Sequence, residues 1–208
     1  MDKKVRIQKK KLLVVEGKDE CNFFDALFKH LQLYDIQTID IGGKDKFNDK
    51  FESLHAMDEF SEITHIGFIR DAERNPAISA FNSICSILRK RQIPCPENPN
   101  QIIRERVSVG IFIMPDNQET GMLENLCLES IKNTPVYSCI DSFIDCLKQN
   151  QAEIEKEKFN ESKSKVQSYL AMRSPIVNSL GLGAKNNYWN FNHACFADIK
   201  KFLSDLFF

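Results

Sequence analysis

Glu16, Glu20, Asp71, Glu73 and Glu124 are the residues whose type and setting could do chemistry, because each closely follows the end of an apolar run. Leu12-Leu13-Val14-Val15 stops at Glu16-Gly17, with Lys18, Asp19 and Glu20 directly behind. Residues 65–69 run into Arg70-Asp71-Ala72-Glu73-Arg74. Residues 107–114, VSVGIFIM, close on Pro115-Asp116-Asn117, and Glu124 stands a little further on among Met122, Leu123, Leu126 and Leu128, near a helix start. If these runs are neighbouring strands of one parallel sheet, their carboxyl-terminal tips bring the acids together, at the end of an α/β sheet where ligands bind. Carboxylates at close quarters raise one another's pKa unless a cation neutralises them. Oxygen donors suit Mg²⁺ or Mn²⁺ rather than zinc. Two-metal phosphoryl chemistry uses such a cluster: one ion acidifies an attacking water, and both stabilise charge on the phosphate and the leaving oxygen. The plainer reading makes these acids solvent-facing loop residues, and makes Asp19 and Glu20 an acidic first turn that complements a helix dipole.

The elements that would position these acids alternate. A strand over 11–15 leads to a helix over 19–33, where Cys21, Phe24, Leu27, Phe28 and Leu31 recur at helical spacing. A short strand over 36–41 ends in Gly42-Gly43, repeating the strand-to-glycine pattern, and the spacing of Phe47, Phe51, Leu54, Met57 and Phe60 predicts a helix over 45–60. Strands over 65–69 and 107–114 flank a helix over 77–91 and a Pro-rich loop over 94–100. Such alternation argues for a parallel sheet with right-handed crossovers. Beyond Thr134-Pro135 the pattern is helical over 136–173, with Ile140, Phe143, Ile144 and Leu147 on one face and a charged run over 153–165 that reads as a solvated surface. Gly181-Leu182-Gly183-Ala184-Lys185 reads as a loop without the spacing of a phosphate-binding fingerprint, and residues 196–208 as an amphipathic helix packed on the sheet.

The chain has 208 residues, enough for one sizeable core. The expectation is a single domain over 1–208, with a core over 1–133 carrying the acidic strand ends and a mainly helical part over 134–208 packed on it. A net charge of −1 gives no global positive field, so nucleic-acid binding would need a local patch. Lys44, Lys46, Arg70, Arg74, Arg104 and Arg106 could grip phosphates or could be ordinary surface charge. Lys3, Lys4, Arg6 and Lys9 to Lys11 precede no apolar leader, and no run reaches the roughly 18 apolar residues of a membrane span, so the expected location is cytoplasmic, with no membrane partner. The seven cysteines form no C-x-x-C pair and read as reduced, mostly buried thiols. His30, His55, His65 and His193 are scattered singly, which argues against structural zinc.

An apolar strand into Glu16-Gly17-x-x-Glu20, then another into Asp71-Ala72-Glu73, resembles the Toprim domain shared by topoisomerases, primases and OLD-family nucleases. Ile113-Met114-Pro115-Asp116-Asn117 followed by Gly121-Met122-Leu123-Glu124, together with Lys163-Ser164-Lys165 and Tyr169-Leu170-Ala171, is similar to a narrower bacterial family of Toprim-like proteins, related to the OLD nucleases and without assigned function. The resemblance covers nearly the whole chain. It implies an α/β, Toprim-like (Rossmann-like) fold with a central, mostly parallel sheet and helices on both faces. It makes Glu16 a metal ligand or general base, and Glu20, Asp71, Glu73 and Glu124 further ligands for Mg²⁺ or Mn²⁺, two ions in all. Glu73 departs from the family's D-x-D by one methylene. A lysine that stabilises transition-state charge matches Lys165 best, with Lys163 and Lys185 as alternatives. Lys18, Gly42, Gly43 and Arg74 are the candidate substrate contacts.

The activity so implied is metal-dependent nucleic-acid cleavage or a related phosphotransfer, on DNA more than RNA, in phage defence beside a separate ABC-type ATPase, since this chain has no Walker A sequence. A homodimer would suit cleavage of both strands. A topoisomerase would need a tyrosine nucleophile on a further domain, and a primase a zinc module. The rival reading is a non-catalytic Toprim-like module that binds a nucleotide or a protein through a degenerate metal site, which the Asp71-Ala72-Glu73 departure and the near-neutral charge favour.

Overall fold

The computed structural model describes residues 6–149 and 159–208. Lys3, Lys4 and residues 153–158 of the charged run lie outside the described residues, as does the side chain of Lys44. In chain order the elements are β1 (Lys11–Val15), α1 (Lys18–Leu31), β2 (Ile36–Asp40), α2 (Phe47–His55), β3 (His65–Asp71), α3 (Ala77–Lys90), β4 (Ile102–Arg104), β5 (Ser108–Met114), α4 (Leu123–Glu129), α5 (Pro135–Gln149), α6 (Glu161–Ala171), α7 (Leu180–Lys185) and α8 (Ala197–Phe207). The sheet order is β2-β1-β3-β5-β4, parallel throughout except for β4, which runs antiparallel to β5. The fold is therefore α/β with a mostly parallel central sheet, consistent with a Toprim-like Rossmann-type architecture.

The strands read as continuous apolar runs because both faces are covered. In β1, Leu13 and Val15 pack with α1 and α4 to α8, whereas Leu12 and Val14 pack with α2 and α3. On the first face α8 sits unusually close to the sheet. Gly67 and Gly110 are register partners on β3 and β5, and a Cβ at either would come within 2.8 Å of Leu206 or Phe202 respectively. Two glycines side by side thus form the hollow that seats the helix.

Several expectations are corrected. The helix over 45–60 is a short 3-10 turn, α2, and a second 3-10 turn over Asp58–Glu62, because the chain goes extended at Met57 between them. The helical stretch over 136–173 is two helices, and Phe143 is half exposed (52%) while Ile140 and Ile144 are buried, so the apolar face is narrower than its spacing suggests. The Pro-rich loop is followed by β4, a three-residue edge strand too short to give a periodic signal. That loop folds back on α3 and brings Cys95 to Cys85, with Cα atoms 5.7 Å apart, and the two form a disulfide. Cys139 and Cys146 are exposed, so the reading of reduced, mostly buried thiols does not hold. No helix among the described residues is long and apolar enough to cross a membrane.

The segment 181–185 is not a loop but belongs to α7. Its glycines serve close packing: a Cβ at Gly181 would lie 2.1 Å from the main-chain oxygen of Asp19, and one at Gly183 2.8 Å from Leu170. The Gly181 N–H donates to Asp19 Oδ1 at 2.7 Å, so Asp19 clamps α7 onto the start of α1. A glycine-to-alanine change inside a helix ordinarily stabilises by about 0.5–1 kcal/mol. Here the backbone contact reverses the sign: Gly181→Ala should destabilise by about 1–3 kcal/mol, read as a lower urea midpoint at unchanged slope.

Candidate functional site

The strands that end in acids are adjacent. β3 lies between β1 and β5, and their carboxyl-terminal tips point the same way. Glu16 directly follows β1, Asp71 is the last residue of β3, and Met114 ends β5 beside it. Glu20 returns to the same tip because Gly17, the residue before α1, turns the chain in an extended conformation. A side chain at Gly17 would come 2.9 Å from the Glu20 Oε2 atom, so its absence lets that carboxylate lie back over the turn. Glu124 arrives on the first turn of α4, whose start is fixed by two bonds. The Leu123 N–H donates to Asp71 Oδ1 at 3.0 Å, and the Met122 N–H donates to Asn125 Oδ1 at 3.0 Å. A small pocket with about 10 Å³ of free space, the room one water centre needs, is lined by Glu16, Glu20, Asp71, Arg70, Phe24 and Leu123 among others.

The carboxylates sense one another. Burial, then the charges of Glu16, Glu124 and Glu20, push Asp71 well above the usual range against the opposing bond from Leu123. Burial raises Glu20 first, and the charges of Asp19, Glu16 and Glu124 add to it. Glu124 is raised by burial and by Asp19, with Lys163 pulling the other way. Glu16 is raised by burial and by Glu73, against Arg70. Four of the five predicted ligands thus form one coupled group. Glu73 stands at its margin. Its backbone is left-handed (φ 57°), its N–H donates to Gly121 O at 2.7 Å, and its charge is felt by Glu16 but is not a cause of the shifts at Asp71, Glu20 or Glu124.

Sequence reasoning missed the partner of Glu16. Arg70 Nε donates to Glu16 Oε1 at 3.2 Å, with both side chains largely buried. A signal was available. Alternate residues share a face of a strand, so Glu16 continues the Leu12, Val14 face and Arg70 the Ile66, Phe68 face, both directed towards α2 and α3. The register pairs Val14 with Phe68, and two residues further it sets Glu16 opposite Arg70.

The lysines divide. Lys165 makes ion pairs with Asp141 at 2.5 Å and Glu161 at 2.6 Å, and although burial lowers its pKa, those bonds outweigh burial and hold it above the ordinary lysine range. It is committed to the junction of α5 and α6. Lys163, two residues earlier, is the lysine whose charge reaches Glu124. Lys185 donates to Asn22 Oδ1 at 2.6 Å. Of the candidate substrate contacts, Lys18 and Arg74 are exposed. Gly42 and Gly43 adopt positive φ (75° and 89°), and their N–H groups are bonded within the protein, to Asp40 Oδ1 at 2.6 Å and to Glu16 O at 2.7 Å. Arg104, which donates to Asp205 O, lies with Arg106 near the start of β5, at the far end of the sheet.

Among the described residues, no three Asp, Glu, His or Cys side chains converge as a ready ligand set. The donors that are present suit a hard cation in kind. They are all carboxylate oxygens, they are half-buried, and burial first and neighbouring carboxylates second raise their pKa values.

The fold and site define an α/β protein with acidic strand tips, and comparison with known proteins adds to this. The fold is similar to that of the C-terminal region of the Burkholderia pseudomallei OLD protein, with a TM-score of 0.53 at 14% identity over 96% of this chain and 98% of that one. The chain belongs to the family described as protein of unknown function (DUF3226), whose model matches residues 10–208. No curated protein matches the sequence.

The raised carboxyls fix the direction of a pH effect. In the folded state they hold protons that the unfolded chain has already released, so their unfavourable contribution is absent below the ordinary carboxylate range and grows as pH rises through the raised values. Without divalent cations, Asp71→Asn should melt about 2–6 °C above wild type near pH 8. The gap should close towards about pH 4, as followed by circular dichroism.

Proposed function

We propose that this chain is a Mg²⁺- or Mn²⁺-dependent nuclease of the Toprim type, hydrolysing phosphodiester bonds in nucleic acid, DNA in preference to RNA. The observation that carries the reading is the electrostatic coupling of Glu16, Glu20, Asp71 and Glu124 where the tips of β1 and β3 meet the first turns of α1 and α4. A module with a purely structural role gains nothing from burying mutually repelling carboxylates, whereas a cation site needs them. The fold likeness to the C-terminal region of an OLD protein supports the same reading.

Glu16, Glu20, Asp71 and Glu124 would hold the cation, with Glu73 at the edge for a second ion. When bound, the ions would supply a water of lowered pKa and charge stabilisation at the phosphate. The chain's own part is to aim the carboxylates, to exclude bulk water with Phe24 and Leu123, and to offer cationic side chains at the rim. Lys163, beside Glu124, is better placed for that than Lys165. The wider setting we assign is phage defence with a separate ABC-type ATPase, the nuclease acting as a homodimer.

A second reading, a non-catalytic nucleotide- or protein-binding module, draws on one observation, the Arg70 guanidinium on Glu16 where a cation would otherwise sit. Two measurements separate the readings. Mn²⁺ or Mg²⁺ should raise the melting temperature of wild type over its value in chelator, and Glu16→Gln and Asp71→Asn should lose that rise. Wild type should nick or linearise supercoiled plasmid with Mn²⁺, and either variant should be slower by about 10²–10³-fold. Cleavage that persists in Asp71→Asn would overturn the assignment, and a cation-induced rise without cleavage of DNA or RNA would favour the binding module.

A further inference from the structure

Arg70 faces two ways. On one side its Nε meets Glu16, and on the other its Nη1 donates to Ser83 Oγ at 3.2 Å. A guanidinium carries five N–H donors in a fixed fork, so these two bonds leave donors over. They border a second cavity of about 100 Å³ between the tip of β3 and α3, lined by Arg70, Asn75, Ser79 and Ser83, with Asp71, Ala72, Glu73 and Ala80 completing it. The lining combines an arginine, two hydroxyls and a carboxamide in a space with room for a tetrahedral oxyanion. Planar, fixed donors of this kind recognise phosphate.

The geometry points to a phosphate-binding pocket between β3 and α3, built on Arg70, Ser79, Ser83 and Asn75, that holds one phosphate group of a nucleic-acid strand beside the carboxylate cluster. The assignment rests on the nuclease reading for its substrate class, but not for its binding chemistry. Asp71 and Glu73 border the same space, and their charge opposes an incoming anion. A divalent cation at the carboxylates offsets that charge and competes with Arg70 for Glu16, which turns the guanidinium towards the pocket. Cation and phosphate therefore bind with positive coupling, each tightening the other. The pocket's occupant is a phosphodiester within a strand or a phosphate monoester at its end, and the two differ in charge and in bulk.

The test uses the full chain and three probes: inorganic phosphate, and a short oligonucleotide with and without a 5′-phosphate. Each is titrated by melting temperature and calorimetry, with Mg²⁺ and in chelator. Inorganic phosphate up to about 10 mM should raise the melting temperature of wild type, more with Mg²⁺ than without. Arg70→Gln should weaken phosphate binding by about tenfold or more, and Ser83→Ala by a few-fold. A preference for the 5′-phosphorylated strand assigns the pocket to a terminal monoester, and equal binding assigns it to an internal phosphodiester, both in line with the proposal. Phosphate binding that is absent in wild type, or unchanged in both Arg70→Gln and Ser83→Ala, overturns it. Arg70→Lys, which keeps the charge but not the fork, serves if Arg70→Gln fails to fold, and should bind phosphate more weakly than wild type. The cation titration of the same variants reads the carboxylate site by itself: Arg70→Gln should keep its cation-induced rise. The nuclease reading can thus fail while the phosphate pocket stands, and the reverse.

Discussion

Negative charge gathered at one end of the sheet sets the terms for everything around it. Glu16, Glu20, Asp71 and Glu124 are all drawn partly out of water, and each loss of hydration has to be met by a donor or a cation. The protein meets the need with what lies near. Arg70 reaches across from the next strand to Glu16, the Leu123 N–H binds Asp71, and Lys163 lends its charge to Glu124. The compensation is incomplete, since all four carboxyls remain above their ordinary range. A residual deficit of positive charge, held in place by a rigid sheet, is a standing attraction for a cation. That is why the same feature costs the fold stability and serves the proposed chemistry.

The scaffold that fixes this arrangement is made of close approaches rather than of long side chains. Gly17, Gly67, Gly110 and Gly181 each leave out a side chain where another group must come near: the Glu20 carboxylate, α8 against the sheet, and the backbone of Asp19. The strand tips can carry half-buried acids because the layers beneath them are packed tightly by Phe202, Leu206 and the four apolar residues of β1.

The strand-helix alternation made a parallel sheet legible, but the adjacency of β1, β3 and β5 was only a supposition of the sequence reading, and the sheet order supplies it. Glu16, Glu20, Asp71 and Glu124 were named together from the same pattern, whereas Asp19, whose charge also raises Glu20 and Glu124, was set aside although its carboxylate both accepts from Gly181 and adds to the cluster. What escaped reading depends on contacts between distant residues. α7 was mistaken for a loop because its glycines signal flexibility in sequence but serve packing against α1. β4 is too short to show a period, and the Cys85–Cys95 pair exists only because the Pro-rich loop turns back. Among the lysines the sequence offered, Lys165 is held in ion pairs and it is Lys163, the alternative two residues earlier, whose charge reaches Glu124. Lys163 and Lys165 differ in helical azimuth, and azimuth follows from how α6 packs, with Lys165 turned to Asp141.

The clamp between Asp19 and Gly181 joins residues at opposite ends of the chain within one hydrogen bond. It sits on the residue next to Glu20, while Lys163, from the same half of the sequence as Gly181, answers the charge of Glu124. The acidic tips therefore cannot be regarded as the property of the strands alone. A chain cut after α4 would keep every carboxylate and lose both the strut that steadies the first turn of α1 and the cation beside Glu124. The helical half is in that sense a splint, and the two halves are parts of one device rather than a core with an ornament.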